Sequence, residues 1–124
     1  MLNTKVISGT YTSGLKIFDN LPFDAQRFFI MDGKVGDVRG EHAHRECKQL
    51  LFCMSGKIRL TSDNGGSNET FDLDPSKGYA LHDVLHWLTI EFLETSSVLV
   101  LAQYPYNEAE YIRNYNVFKE EAIA

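Results

Sequence analysis

The sequence predicts an all-β fold, a sandwich or closed barrel with one short helix near its C-terminal end. Two observations carry this. Short runs rich in β-branched and aromatic residues recur between turn signals about every eight to twelve residues. Only the tail shows apolar residues at helical spacing. The runs are Lys5-Val6-Ile7, Leu15-Lys16-Ile17-Phe18 and residues 27–31, 49–54, 57–61, 69–73, 78–81, 86–92 and 98–102. Between them stand Ser8-Gly9, Asp19-Asn20-Leu21-Pro22, Asp32-Gly33, Ser55-Gly56, Asp63-Asn64-Gly65-Gly66 and Asp74-Pro75-Ser76-Lys77-Gly78. Asn64-Gly65 reads as a hairpin turn, because both residue types tolerate positive φ. In the tail, Tyr111, Tyr115 and Phe118 predict a helix over roughly residues 108–122.

No linker, repeat or low-complexity segment divides the 124 residues, so residues 1–124 are expected to form a single domain with a core of its own. The net charge of -5 speaks against nucleic acid or an anionic membrane as partner, since both require a basic face. A nucleotide-sized ligand, held by a few arginines, remains compatible with it. Cys47 and Cys53 are too few for a secreted disulfide scaffold. With no signal-like N-terminal stretch and no membrane-length apolar run, a reduced cytoplasmic protein is expected.

The four histidines fall in two places, His42 with His44 and His82 with His86. Residues two or four apart in a strand share a face, so each pair would present both imidazoles to one side. Two such pairs on a closed β structure can converge on its interior. The spacing around the first pair is more specific. In their spacing, Gly36, His42-Ala43-His44, Gln49 and Gly56 resemble the first motif of the cupins, a glycine, His-x-His, an acid and a turn glycine. Gln49 stands where metal-binding cupins carry Glu. A neutral amide is a weak ligand beside an anionic carboxylate, so the centre is expected to work with no metal and no other cofactor. Two adjacent imidazoles are suited to moving protons, their unperturbed pKa lying near neutrality.

The segment Arg39-Gly40-Glu41-His42-Ala43-His44-Arg45, with Gln49-Leu50-Leu51 and Ser55-Gly56 behind it, resembles the TDP-4-keto-6-deoxyglucose 3,4-ketoisomerases. The resemblance continues through Asp63-Asn64-Gly65, Leu73-Asp74-Pro75 and Gly78. It closes on residues 98–102 and Tyr106-Asn107-Glu108-Ala109-Glu110-Tyr111-Ile112-Arg113-Asn114-Tyr115, spanning about residues 13–118. It implies a cupin double-stranded β-helix (a jelly-roll barrel), a homodimer with exchanged N-terminal strands and no required metal. It also implies a substrate, a thymidine-diphosphate-linked 4-keto-6-deoxyhexose that is converted to its 3-keto isomer for deoxyamino-sugar biosynthesis. Three positions depart from the family pattern. Arg27-Phe28-Phe29-Ile30 lacks the family's tyrosine, Ser13-Gly14 replaces an Arg-Gly turn, and His86-Trp87 reverses a Trp-His pair.

Moving a ketone from C4 to C3 requires removing the C3 proton, passing through an enediol(ate) and protonating C4. His42 and His44 are the expected base and acid, with the order between them left open. Arg39 is expected to bind substrate or stabilise charge, and Gln49 to bond a sugar oxygen or fix an imidazole. Arg59 is a candidate for the diphosphate, although the side of its strand that faces the cavity is not legible. Tyr111 and Arg113 are expected to pack the tail. The competing readings are a metal-dependent cupin using His42, His44 and either His82 or His86, and a non-catalytic sugar-binding cupin.

Overall fold

The computed structural model describes residues 3–5, 10–12 and 15–123. Val6, Ile7, Ser8-Gly9 and Ser13-Gly14 lie outside the described residues. Twelve strands are formed among those described: β1 (Asn3–Lys5), β2 (Thr10–Thr12), β3 (Leu15–Ile17), β4 (Arg27–Gly33), β5 (Val38–His44), β6 (Gln49–Ser55), β7 (Ile58–Asp63), β8 (Asn68–Leu73), β9 (Tyr79–His82), β10 (Trp87–Phe92), β11 (Ser96–Ala102) and β12 (Tyr111–Ile112). One helix, α1 (Tyr115–Ala122), follows them.

Two antiparallel five-stranded sheets face each other, in the orders β1-β9-β6-β11-β4 and β12-β5-β10-β7-β8. Most neighbours within a sheet are far apart in sequence, which is the jelly-roll pattern. Alternation along the strands fills the space between the sheets. In β7, Ile58, Leu60 and Ser62 are buried while Arg59 is exposed; in β11, Val98, Val100 and Ala102 are buried. Ile58, Leu60, Val98 and Val100 join Leu51, Cys53, Leu73, Leu88, Ile90 and Phe92 in the main core. The chain passes between sheets at Ser55-Gly56, where Gly56 has φ +81° and a Cβ would sit 2.4 Å from the Thr95 carbonyl oxygen. No helix among the described residues is long and apolar enough to cross a membrane.

Two expectations are corrected. The predicted tail helix forms only in its second half. Glu108–Glu110 make one 3₁₀ turn, Tyr111–Ile112 are the strand β12 on β5, and α1 begins after Asn114, whose side chain accepts from the Val117 N–H. Tyr111, Tyr115 and Phe118 mimic one helical face because a strand and a helix abut there. The turn at Asn64-Gly65 is longer than a two-residue hairpin. Residues 64–67 separate β7 from β8, the Asn64 side chain accepts from the Gly66 and Ser67 N–H groups, and only Gly65 has positive φ.

Strand β5 carries a bulge. His42 pairs with Leu88 and Gly40 with Thr89, so Glu41 is an extra residue without a counterpart on β10. Gly40 and Glu41 both have positive φ, +84° and +58°. A Cβ on Gly40 would meet the Leu88 carbonyl oxygen at 2.7 Å. Gly40→Ala is therefore expected to destabilise the fold by roughly 2–4 kcal/mol, from backbone strain and the clash together. A urea midpoint unchanged from the native protein would show that the bulge tolerates a side chain.

Candidate active site

The bulge is immediately followed by the two histidines. His42 Nε2 lies 3.1 Å from His44 Nε2, with the rings nearly perpendicular at 86°. His82, at the end of β9, joins them from the opposite sheet, its ring centroid 5.2 Å from His44 and 6.1 Å from His42. Strand β12 pairs Tyr111 with His44 and sets its ring 4.4 Å from His44 and 5.1 Å from His42. His44 is fully buried, and its Nδ1 contacts Glu110 Oε2 at 2.5 Å.

A cavity of about 80 Å³ opens beside this group. Phe29, Met31, Leu51, Leu88, Ile90 and Val100 form its apolar wall; His42, Gln49, His82 and Tyr111 supply its polar end. His82 Nε2 lies 2.8 Å from the His86 carbonyl oxygen, so it carries the ring proton. His82 Nδ1 is then an acceptor, and it is buried without a hydrogen-bond partner. His42 Nδ1 is likewise buried and unpartnered. Buried polar atoms are generally hydrogen-bonded, which makes both nitrogens candidate acceptors for a polar ligand group.

Burial holds all three imidazoles below their ordinary pKa. For His44, burial followed by the neighbouring His42, Arg113 and Arg27 pushes the value down to about 3. Burial also lowers His42 and, with His44 and His42 beside it, lowers His82 well below the ordinary value. His42, His44 and His82 each offer a ring nitrogen, and these atoms lie within 4.8 Å of one another. They could hold a transition metal, but the set contains no carboxylate to offset its charge.

The expected residues are only partly brought together. His42, His44 and Gln49 meet, with Gln49 buried on β6 opposite His82. The pairing of His82 with His86 is corrected. Leu85 has φ +56°, the chain turns before β10, and His86 Nδ1–H bonds the Val84 carbonyl instead of facing the cavity. Arg59 lies on the outer face of β7, its guanidinium bound to Asp72 at 2.8 and 3.1 Å, so the structure does not bring it to this site. Arg39 is exposed, ion-paired with Asp37 at 3.6 Å and 5.9 Å from the Phe92 ring, and it does not line the cavity. Cys47 and Cys53 are free and buried, as expected of filler residues. Trp87 packs against Tyr115 and Phe118 and not in the cavity.

Four residues at or beside the site were not singled out as site groups. Tyr111, read as tail packing, lines the cavity, while Arg113 stacks on its outer face at 4.4 Å. Glu110 had no signal, being one acid in a tail that also carries Glu108. Arg27 lies 4.8 Å from the Phe29 ring and 5.3 Å from the Tyr106 ring, beside one wall of the cavity, with no ion pair among the described residues.

A small jelly-roll barrel that turns histidines from facing sheets into one cavity is a cupin. Residues 7–122 match the family model described as FdtA: WxcM-like, C-terminal, and the chain belongs to this family. It is 34% identical over 103 residues to a TDP-4-oxo-6-deoxy-alpha-D-glucose-3,4-oxoisomerase of Aneurinibacillus thermoaerophilus, covering 82% of this chain and 74% of that one. The fold matches a 3,4-ketoisomerase from Helicobacter canadensis with a TM-score of 0.89, 25% identity and coverage of 99% and 98% of the two chains. It also matches QdtA, a sugar 3,4-ketoisomerase from Thermoanaerobacterium thermosaccharolyticum in complex with TDP, at a TM-score of 0.89, 22% identity and coverage of 98% and 94%.

The buried neutral histidines fix the sign of the acid response. Their folded pKa values lie below the unfolded value near 6.5, so the unfolded chain binds more protons as pH falls below that point. Stability is expected to be full above about pH 7.5 and to decline from about pH 6.5 downward, by up to about 1.4 kcal/mol per pH unit for each such histidine. Urea unfolding at a series of pH values measures this, and His82→Asn should flatten the slope.

Proposed function

We propose that this protein is a sugar 3,4-ketoisomerase that converts a TDP-linked 4-keto-6-deoxyhexose to its 3-keto isomer. The observation that carries this reading is the 3.1 Å contact between the half-buried His42 imidazole and the buried His44 imidazole beside a cavity, in a chain belonging to the FdtA family. The C4 carbonyl acidifies the C3 proton. One imidazole of the His42–His44 pair takes that proton, leaving an enediolate with its charge on the C4 oxygen. The C3 hydroxyl proton passes to that oxygen, C3 becomes the carbonyl, and the pair returns a proton to C4. The apolar wall from Phe29 to Val100 excludes water while the enediolate exists. Gln49, His82 Nδ1 and Tyr111 are placed to bond sugar oxygens.

For the diphosphate, Arg27 is a better candidate than Arg39 or Arg59. It combines a charge with no ion pair among the described residues with a position against Phe29 and Tyr106. A homodimer completes the proposal. Phe28 and Ile30, 68% and 53% exposed, form an apolar outer face on the edge strand β4. Strand β1 pairs with β9 through Asn3 with Leu81 and Lys5 with Tyr79, a register that an exchanged partner strand would also satisfy. The two free, buried thiols support a cytoplasmic location.

Incubation with TDP-4-keto-6-deoxyglucose in deuterated water tests the reaction. Deuterium is expected at C4 of the 3-keto product, with turnover reduced about 10²- to 10⁴-fold in His42→Asn and His44→Asn. Binding without exchange in the native protein would replace the enzyme by a sugar-binding module. Steady-state kinetics test the diphosphate assignment. Arg27→Ala is expected to raise KM about tenfold or more, whereas Arg59→Ala should leave KM within about twofold. The opposite ranking would return the role to Arg59.

A further inference from the structure

The contact between His44 and Glu110 determines more than orientation. Glu110 is buried, with only 7% of its surface exposed. Its Oε1 accepts from the Cys47 N–H at 3.0 Å and the Glu46 N–H at 3.2 Å, and its Oε2 faces His44 Nδ1. Its own backbone is held as well, the carbonyl accepting from the Arg45 N–H at 2.8 Å. A cleft of about 360 Å³ is bordered by Tyr104, Tyr106 and Glu110. Both backbone N–H groups donate to Oε1, so the carboxylate meets them as an acceptor.

From this geometry we infer that Glu110 is a positioning residue that locks His44 as the Nδ1–H tautomer, making His44 the proton acceptor of the histidine pair and His42 the donor. An anionic carboxylate can only accept, so the proton of neutral His44 must lie on Nδ1. His44 Nε2 is then a lone pair. The 3.1 Å contact to His42 Nε2 requires one proton between the nitrogens, and it must belong to His42. Its catalytic consequence rests on the ketoisomerase reading above. A proton taken from the sugar leaves the pair with one positive charge. Glu110 is the only carboxylate in direct contact with either ring among the described residues. On His44 that charge gains a charge-assisted bond to Glu110, which offsets the burial that disfavours it there and which His42 has no carboxylate to match.

Glu110→Gln discriminates this role from a structural one. The two backbone N–H groups need an acceptor, so the amide oxygen turns to them and the amide NH₂ faces His44 Nδ1. His44 must then accept at Nδ1 and carry its proton on Nε2, inverting the pair. Nitrogen-15 NMR of histidine-labelled protein without substrate reads this directly. In the native protein the protonated-type shift should fall on His44 Nδ1 and the unprotonated-type shift on Nε2, with the two exchanged in Glu110→Gln. A native His44 protonated on Nε2, or a variant spectrum with the tautomer unchanged, overturns the assignment. The native spectrum alone decides it should Glu110→Gln fail to fold. With TDP-4-keto-6-deoxyglucose, kcat of the variant should fall about 10²- to 10⁴-fold while KM stays within about twofold. An unchanged kcat refutes the catalytic consequence. Absence of turnover in the native protein sinks the reaction instead, and the tautomer still stands or falls on the spectrum.

Discussion

The bond between His44 and Glu110 joins residues 66 positions apart, and the site depends on it. Burying a carboxylate is costly unless donors surround it, and here an imidazole and two backbone N–H groups do so. Meeting that demand requires the tail to lie along β5. Once β12 pairs with β5, Tyr111 falls beside the histidines and Ile112 joins Ala43 and Phe118 in a small second core. The Arg45 guanidinium fastens the same segment from outside, bonding the carboxylate of Glu121 on α1 and the carbonyls of Ala109 and Tyr111. The electrostatic need of one buried group and the packing of the last elements thus have a single geometric solution.

The rest of the barrel serves the other side of that pair. Regular alternation along β5 is interrupted at Glu41, and the residues after it are re-aimed relative to those before. Unfavourable backbone angles at a non-glycine residue persist only where surrounding structure enforces them. Here the ladder to β10 does so, holding His42 opposite Leu88. The apolar wall then keeps the imidazoles uncharged at neutral pH, the state in which one of them can accept a proton.

What was legible in the sequence was local. His42 and His44, two apart, share a face whatever the tertiary structure, and Gly36 and Gly56 mark turns that indeed need positive φ. The strand pattern gave the barrel, since period-two burial is written residue by residue. What was hidden depends on contacts between distant segments. His82 and His86 were separated by a single left-handed residue, Leu85, that spacing alone does not reveal. Arg39 and Arg59 were singled out and Arg27 was not, because only the register of the sheets decides which cation stands by the cavity. Glu110 carries no local mark at all. Its neighbours make an ordinary acidic tail, and its importance arises from what β12 places behind it.

That placement has a consequence for synthesis. The strands that bear His42, Gln49 and His82 are complete well before residue 108 is made, so the barrel can assemble around an imidazole pair still lacking Glu110 and Tyr111. Until residues 108–112 are made and pair with β5, the two imidazoles lack the carboxylate that His44 contacts. A small lesion in residues 108–122 would therefore strip the histidine pair of its supports while leaving the strands that bear His42, Gln49 and His82 in place.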